Sequence, residues 1–226
     1  MEDIDAIAAL QDPVRRRLYE YVAAQGHEVG RNEAAEAAGV ARTLAAHHLD
    51  RLVEAGLLES GNRRLTGRSG PGAGRPAKVY TRTRTEHSVS LPARDYRTAA
   101  ELLAEAAEEA GLDDGLRAAA RHRGESLRGA AAPCAGLDQA IELLAARGYE
   151  PLVEAAQGEA GEAARVIRMR NCPFHAVAER FPPLVCGMNL ALLEGLLGTD
   201  GPVRARMDAR PGDCCVVVES TKNNND

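Results

Sequence analysis

Apolar residues recur at helical spacing in three short stretches near the N-terminus, each bounded by a residue type that starts or stops a helix. Asp12-Pro13 sets a capping carboxylate before a proline at the first helical position, and Val14, Leu18, Tyr19 and Val22 follow up to Gly26. Gly30 and Glu33 open a second short helix carrying Ala34, Ala35 and Ala38, which Gly39 ends as a left-handed cap requires. A third helix is predicted from Arg42 to Ala55, with Leu44, His48, Leu49, Leu52 and Val53 as its inward stripe and Gly56 closing it. The small side chains of the second helix let the third cross it closely. Helix, glycine-containing turn, helix is the arrangement in which the later helix enters the DNA major groove.

After Pro92 the pattern changes. Arg94 to Ala110 reads as a helix with Tyr96, Ala99, Leu102, Leu103 and Ala106 on one face and glutamates on another, suited equally to pairing with a copy of itself or to docking on its own domain. Helices are predicted over Leu116 to Leu127 and Leu137 to Ala146. Short apolar or alternating runs, Tyr149 to Ala155, Ala164 to Met169, Val203 to Ala209 and Cys215 to Glu219, then read as strands, with helical stretches at Phe174 to Arg180 and Met188 to Leu197. The fold class is α+β: residues 1–85 as a winged helix-turn-helix, 86–130 as a helical linker and dimerisation region, and 131–220 as a sensor domain with a small antiparallel sheet. A disordered tail at 221–226 is expected.

Composition narrows the function. The chain has 226 residues, 45% hydrophobic and 27% charged, enough for two small cores. No apolar run is long enough to span a membrane and the N-terminus is acidic, so a cytoplasmic protein without membrane contact is expected. The net charge of -5 hides a basic segment: from Ser60 to Thr85 there are seven basic residues (Arg63, Arg64, Arg68, Arg75, Lys78, Arg82, Arg84) and no acidic one. Directly after a helix-turn-helix pattern, such a segment is expected to hold a polyanion. No Ser-His-Asp order, paired catalytic carboxylates or nucleotide fingerprint occurs, so an enzyme is not expected.

These residues carry a resemblance. Asp12-Pro13-Val14-Arg15-Arg16, Ala45-Ala46-His47-His48-Leu49-Asp50-Arg51-Leu52, Ala55-Gly56-Leu57-Leu58 and Gly74-Arg75-Pro76-Ala77-Lys78-Val79-Tyr80 resemble the winged helix-turn-helix of ArsR/DeoR-like bacterial repressors. The resemblance implies wing strands at Leu57 to Ser60 and Lys78 to Arg82, with Gly67 to Gly74 as the wing tip. Arg42, Thr43, Ala46 and His47, near the start of the third helix, are expected to face base edges, and Arg63, Arg64, Arg68, Arg75 and Lys78 to hold phosphates. His48, on the inward face, is expected to pack and hydrogen-bond.

Five cysteines make up the remaining chemistry. Cys134 lies outside any pattern and reads as a spare buried thiol. Cys172, in Asn171-Cys172-Pro173-Phe174-His175, follows a strand and begins a helix. Cys186 is expected after a Pro182-Pro183 break and before another helix, and Cys214 at the start of the last strand. Thiolates at helix starts suit metal ligation or oxidation, and paired Cys-x2-Cys knuckles of zinc ribbons are missing. Asn-Cys-Pro, a following helix, a Phe-Pro, a second cysteine before a glutamate-containing helix ending in Leu-Gly, and a last Gly-x-Cys strand resemble the cluster-binding domain of SufR-type iron-sulfur repressors over about Arg168 to Glu219. The resemblance implies that Cys172, Cys186 and Cys214 ligate a [4Fe-4S] cluster. Strand alternation allows only one of Cys214 and Cys215 to point at it; Cys214 is preferred, with Cys215 in the core, and His175 is the candidate fourth ligand.

The expectation is a homodimeric repressor of a pseudo-palindromic double-stranded DNA operator, controlled by a [4Fe-4S] cluster that senses redox, iron or nitric oxide status. The alternative is a zinc-stabilised (Zn2+) winged-helix regulator sensing a small molecule.

Overall fold

The structure, a computed structural model, describes residues 2–63, 76–157 and 163–221. The chain divides at Arg94/Asp95 into two units. Helices expected as a separate region over 86–130 fall within the second of them.

In the first unit, α1 (Glu2–Ala9), which the apolar pattern did not predict, precedes α2 (Pro13–Gln25). The α2 start is as expected: the Asp12 side chain accepts from the backbone N–H of Val14 and Arg15, both at 2.9 Å, and Gly26 ends the helix at φ 65°. A two-residue strand, β1 (Val29–Gly30), leads into α3 (Arg31–Ala38), closed by Gly39, and then α4 (Arg42–Glu54). Strands β2 (Leu58–Arg63) and β3 (Ala77–Arg82) pair antiparallel from Leu58↔Arg82 to Arg63↔Ala77, and β1 joins the far edge of β3. Beyond Leu58 every residue of β2 is exposed, so the hairpin projects from the body as a wing. The tip, Gly67 to Gly74, lies outside the described residues. The core is small and close-set: Leu18, Val22, Ala34, Ala35, Ala45, Leu49, Leu52, Leu58 and Tyr80 are buried together. Leu44, expected inside, is 41% exposed. The buried stripe of α4 runs through Ala45, Leu49 and Leu52, and Leu44 lies about 100° away around the helix from Ala45.

The second unit begins with α5 (Tyr96–Glu109) and α6 (Asp113–Arg128), followed by α7 (Leu137–Ala145). Four antiparallel strands, β4 (Pro151–Gln157), β5 (Ala163–Met169), β6 (Val203–Met207) and β7 (Val216–Ser220), form a sheet in the order β4-β5-β7-β6. Between β5 and β6 lie α8 (His175–Ala178) and α9 (Pro182–Leu197). The Pro182-Pro183 pair, expected as a break, instead opens α9: proline at the first helical positions forgoes no hydrogen bond, since those N–H groups have no intrahelical acceptor. Helix α9 is apolar around most of its circumference because both sides are covered. Leu193, Leu196 and Leu197 join the core formed with Ile167, Met169, Val216 and Val218, while α6 packs on the opposite side. There the backbones almost touch: a Cβ on Gly124 would lie 2.1 Å from the Leu192 carbonyl oxygen, and one on Gly195 2.1 Å from that of Arg121. Among the described residues no helix is long and apolar enough to cross a membrane.

Candidate nucleic-acid interface and cysteine site

Arg42, Thr43 and His47 are exposed on α4, and Ala46 beside them is half-buried. All four lie in its first two turns, the part that a helix lying in the major groove turns toward base edges. Two of the flanking cations are engaged in ion pairs within the unit. Lys78 donates to Asp50 Oδ1 at 2.8 Å, and Arg63 pairs with Glu28 at 3.2 Å. Arg64, Arg68 and Arg75 lie outside the described residues.

Asp50 is the centre of a network that sequence reading missed. The buried Tyr80 hydroxyl donates to Asp50 Oδ1 at 2.8 Å and accepts from Arg31 Nε at 2.9 Å, while Arg31 also reaches Asp50 at 3.5 Å. The recognition helix is thereby fixed to α3 and to the wing strand β3. Burial pushes the Asp50 carboxyl up, but hydrogen bonds from Lys78 and Tyr80, with the charges of Lys78 and Arg31, hold it below the usual range. A depressed folded-state pKa stabilises the fold above the ordinary aspartate range, about pH 4, and that contribution is lost as pH falls through the folded value. Asp50→Ala is expected to cost about 2 kcal/mol in urea unfolding of the first unit, because the buried Tyr80 hydroxyl loses its acceptor. Asp50→Asn is expected to keep part of the network and flatten the acid limb of stability against pH.

His48 packs as expected but without the expected hydrogen bond: its Nδ1 is buried with no partner, and burial pushes its pKa down.

The cysteine site is built from three segments of the second unit. Cys172 lies in the turn between β5 and α8; Cys186 is inside α9, one turn beyond its prolines rather than ahead of the helix; Cys214 and Cys215 precede β7. Cys186 and Cys215 form a disulfide with Cα atoms 6.4 Å apart. Cys172 and Cys214 are free thiols hydrogen-bonded to each other. That bond, opposed by burial and assisted by N–H groups of Val216 and Asn189, brings the Cys214 thiol down to about 7. The same bond, with burial, pushes Cys172 up. Of the two, Cys214 is the readier thiolate.

Asn189 organises this site and was not anticipated. Fully buried, it donates through Nδ2 to Cys214 Sγ at 3.4 Å and accepts from the Tyr149 hydroxyl at 2.6 Å. Backbone bonds fix the loop: Cys214 N–H donates to the Met169 carbonyl at 2.8 Å and Asp208 N–H to the Cys215 carbonyl at 2.8 Å. Cys215, expected in the core, packs against it, while Cys214 lies within it. Cys214 is the buried residue of the two, and Cys215 is half-buried and bonded to α9. His175 is exposed and paired with Glu179 at 3.2 Å, with nothing joining it to the sulfurs. Cys134 is buried, donating to the Gly136 carbonyl.

As these side chains stand, no three His, Cys, Asp or Glu residues among those described form a set able to hold a metal ion. Two of the four sulfurs are tied to each other. With that bond reduced, the donors are four thiols without a carboxylate, a soft set that fits iron-sulfur or zinc chemistry rather than calcium or magnesium.

A helix-turn-helix domain model matches residues 10–61, which run from just before α2 into the wing strand β2. No curated protein and no solved structure matches the chain. The first unit contains a DNA-binding helix-turn-helix domain, and the chain is a DNA-binding transcription regulator.

Proposed function

We propose that this regulator is a homodimeric repressor whose affinity for a pseudo-palindromic operator is set by a [4Fe-4S] cluster on the cysteines of the second unit. The observation that carries the reading is the gathering of four cysteines from three separate segments, with Cys214 disposed to ionise. A bound cluster would supply a redox-active iron centre that oxidants or nitric oxide attack. The protein's part is to hold it: Cys172 anchors the turn after β5, Cys186 anchors α9, and Cys214 anchors the segment before β7, while Asn189 directs an N–H at the Cys214 sulfur. Tying those three segments together changes the rigidity of the unit, and any difference in DNA affinity between the tied and untied forms is a coupling free energy.

Dimerisation is proposed through α5. None of its side chains is buried, and Tyr96, Leu102 and Leu103 are 74%, 60% and 72% exposed. In an antiparallel pair centred near Leu102 and Leu103, the basic end at Arg94 and Arg97 faces the acidic end at Glu105, Glu108 and Glu109 of the copy, a self-complementary arrangement.

Base reading is proposed for Arg42, Thr43, Ala46 and His47. Arg42→Ala is expected to weaken specific binding by about 1–3 kcal/mol, as measured by fluorescence anisotropy on a fragment selected from genomic DNA, and to leave nonspecific binding almost unchanged. The cluster is tested by visible absorption with iron, sulfide and zinc analysis of protein purified without oxygen, beside Cys172→Ala. The reading expects a brown protein and colourless Cys172→Ala; stoichiometric zinc without colour overturns the cluster.

A further inference from the structure

We infer that the cysteine site is a complete four-thiolate metal site, in which Cys215, and not His175, is the fourth donor beside Cys172, Cys186 and Cys214. This rests on the reading above that these cysteines hold a metal group, and it names the donor set of that site.

Adjacent residues of a regular strand point to opposite faces, which would leave only one of Cys214 and Cys215 available. The chain is not a regular strand here: β7 begins at Val216, and Cys215 sits at a bend. What the two side chains reach shows the consequence. Cys215 is bonded to Cys186, and Cys214 accepts from Asn189. Cys186 and Asn189 are three residues apart on α9 and so lie on the same helical face. Both sulfurs of the doubled cysteine are thus turned toward one face of one helix, and the Cys172 thiol meets Cys214 there. His175 stands apart, 56% exposed and engaged with Glu179.

The disulfide places Cys186 and Cys215 side by side, near enough for both to reach one metal centre once the bond is opened. Before metal can bind, that bond must be reduced. A dithiol such as dithiothreitol does this by exchange: its thiolate attacks one sulfur, a mixed disulfide forms, and its second thiolate closes the reagent's own ring. Two cysteine thiols are released and the reagent carries away the disulfide. Metal then displaces the thiol protons. Asn189 remains as a positioning residue, its amide held by Tyr149 and directed at one ligand sulfur.

The test uses the full chain, reduced with dithiothreitol, freed of reagent without oxygen and titrated with cobalt(II) alone, which reports its sulfur ligands through charge-transfer absorption. Wild type and His175→Ala are expected to give the same four-thiolate tetrahedral spectrum, and Cys215→Ser to lose about a quarter of the charge-transfer intensity, one thiolate of four. Because a variant can misfold, wild type carries a second readout: in the loaded protein Cys215 is expected to resist N-ethylmaleimide, and to become reactive when a chelator strips the metal. Equal spectra for Cys215→Ser and wild type, free alkylation of Cys215 in the loaded protein, or no cobalt uptake by reduced wild type overturns the four-thiolate site. A separate titration with ferrous iron and sulfide isolates the parent reading. Four-thiolate cobalt binding without any iron-sulfide loading leaves this donor set standing and removes the cluster.

Discussion

Gly195→Leu is expected to unfold the second unit or destabilise it by more than about 3 kcal/mol, beyond the usual range for overpacking, because the obstacle is backbone and cannot rotate away. The Cβ position of Gly195 is 2.1 Å from the Arg121 carbonyl oxygen and 2.9 Å from the Glu125 amide nitrogen; that of Gly124 is 2.1 Å from the Leu192 carbonyl oxygen. Any side chain at either residue must push α6 away from α9, and α9 carries Cys186 and Asn189. Even Gly195→Ala is expected to destabilise, although alanine in a helix ordinarily gains about 1 kcal/mol over glycine. Gly115 provides the control. It lies in the same helix as Gly124 with nothing within 4 Å of its Cβ position, so Gly115→Ala is expected to be neutral or stabilising. Urea unfolding followed by circular dichroism measures all three; a stable Gly195→Leu protein with unchanged packing would refute the close crossing.

Arg168→Ala is expected to cost about 3 kcal/mol, the lower end of the range for breaking a buried ion pair, since its partner Asp208 keeps some contact with water. Arg168 is 1% exposed and donates to the Asp208 carboxylate at 2.8 Å and to the Asp208 carbonyl at 2.9 Å, with Glu154 at 3.4 Å. Burial pushes the Asp208 carboxyl up, and the Arg168 hydrogen bond and charge, with the charges of Arg206 and Arg210, more than reverse it, so this stabilisation is present above the ordinary aspartate range and lost as pH falls below it. Asp208 closes the loop that presents Cys214 and Cys215, through its N–H to the Cys215 carbonyl. The substitution is therefore expected to lower metal retention as well as stability. Arg168→Met, which fills the space without charge, is expected to recover part of the stability while leaving Asp208 only its more exposed ion pair with Arg206, at 3.3 Å. Denaturant midpoints and the chelator-driven rate of metal loss measure the two effects.

The parts of the fold that were legible in the sequence are those whose determinants are local. Asp12-Pro13, Gly26, Gly39 and Gly56 fix helix ends by capping chemistry within a few residues, and the first unit followed them. Pro182-Pro183 misled because proline reads as a break or a start according to what the preceding backbone does. Asp50 and Arg168 were invisible for a different reason: their partners, Tyr80 and Lys78 in one case and Asp208 in the other, are 28 to 40 residues away along the chain. Cys172, Cys186 and Cys214 stood out through the motifs around them and the resemblance those motifs carry. The part played by Cys215 did not, because the alternation rule presumes a regular strand and the bend at that residue suspends it.

The central claim is that the state of the cysteine site controls DNA binding, and an affinity comparison tests it most directly. Protein loaded with iron and sulfide without oxygen, and the same protein freed of metal and kept reduced, would be titrated at one salt concentration onto a genomic fragment enriched by the loaded form, since phosphate contacts make affinities at unequal salt incomparable. The account predicts that the loaded protein binds at least about fivefold more tightly, a coupling of about 1 kcal/mol or more. Equal affinity of the two forms would contradict it and leave a DNA-binding regulator whose cysteines serve the fold alone.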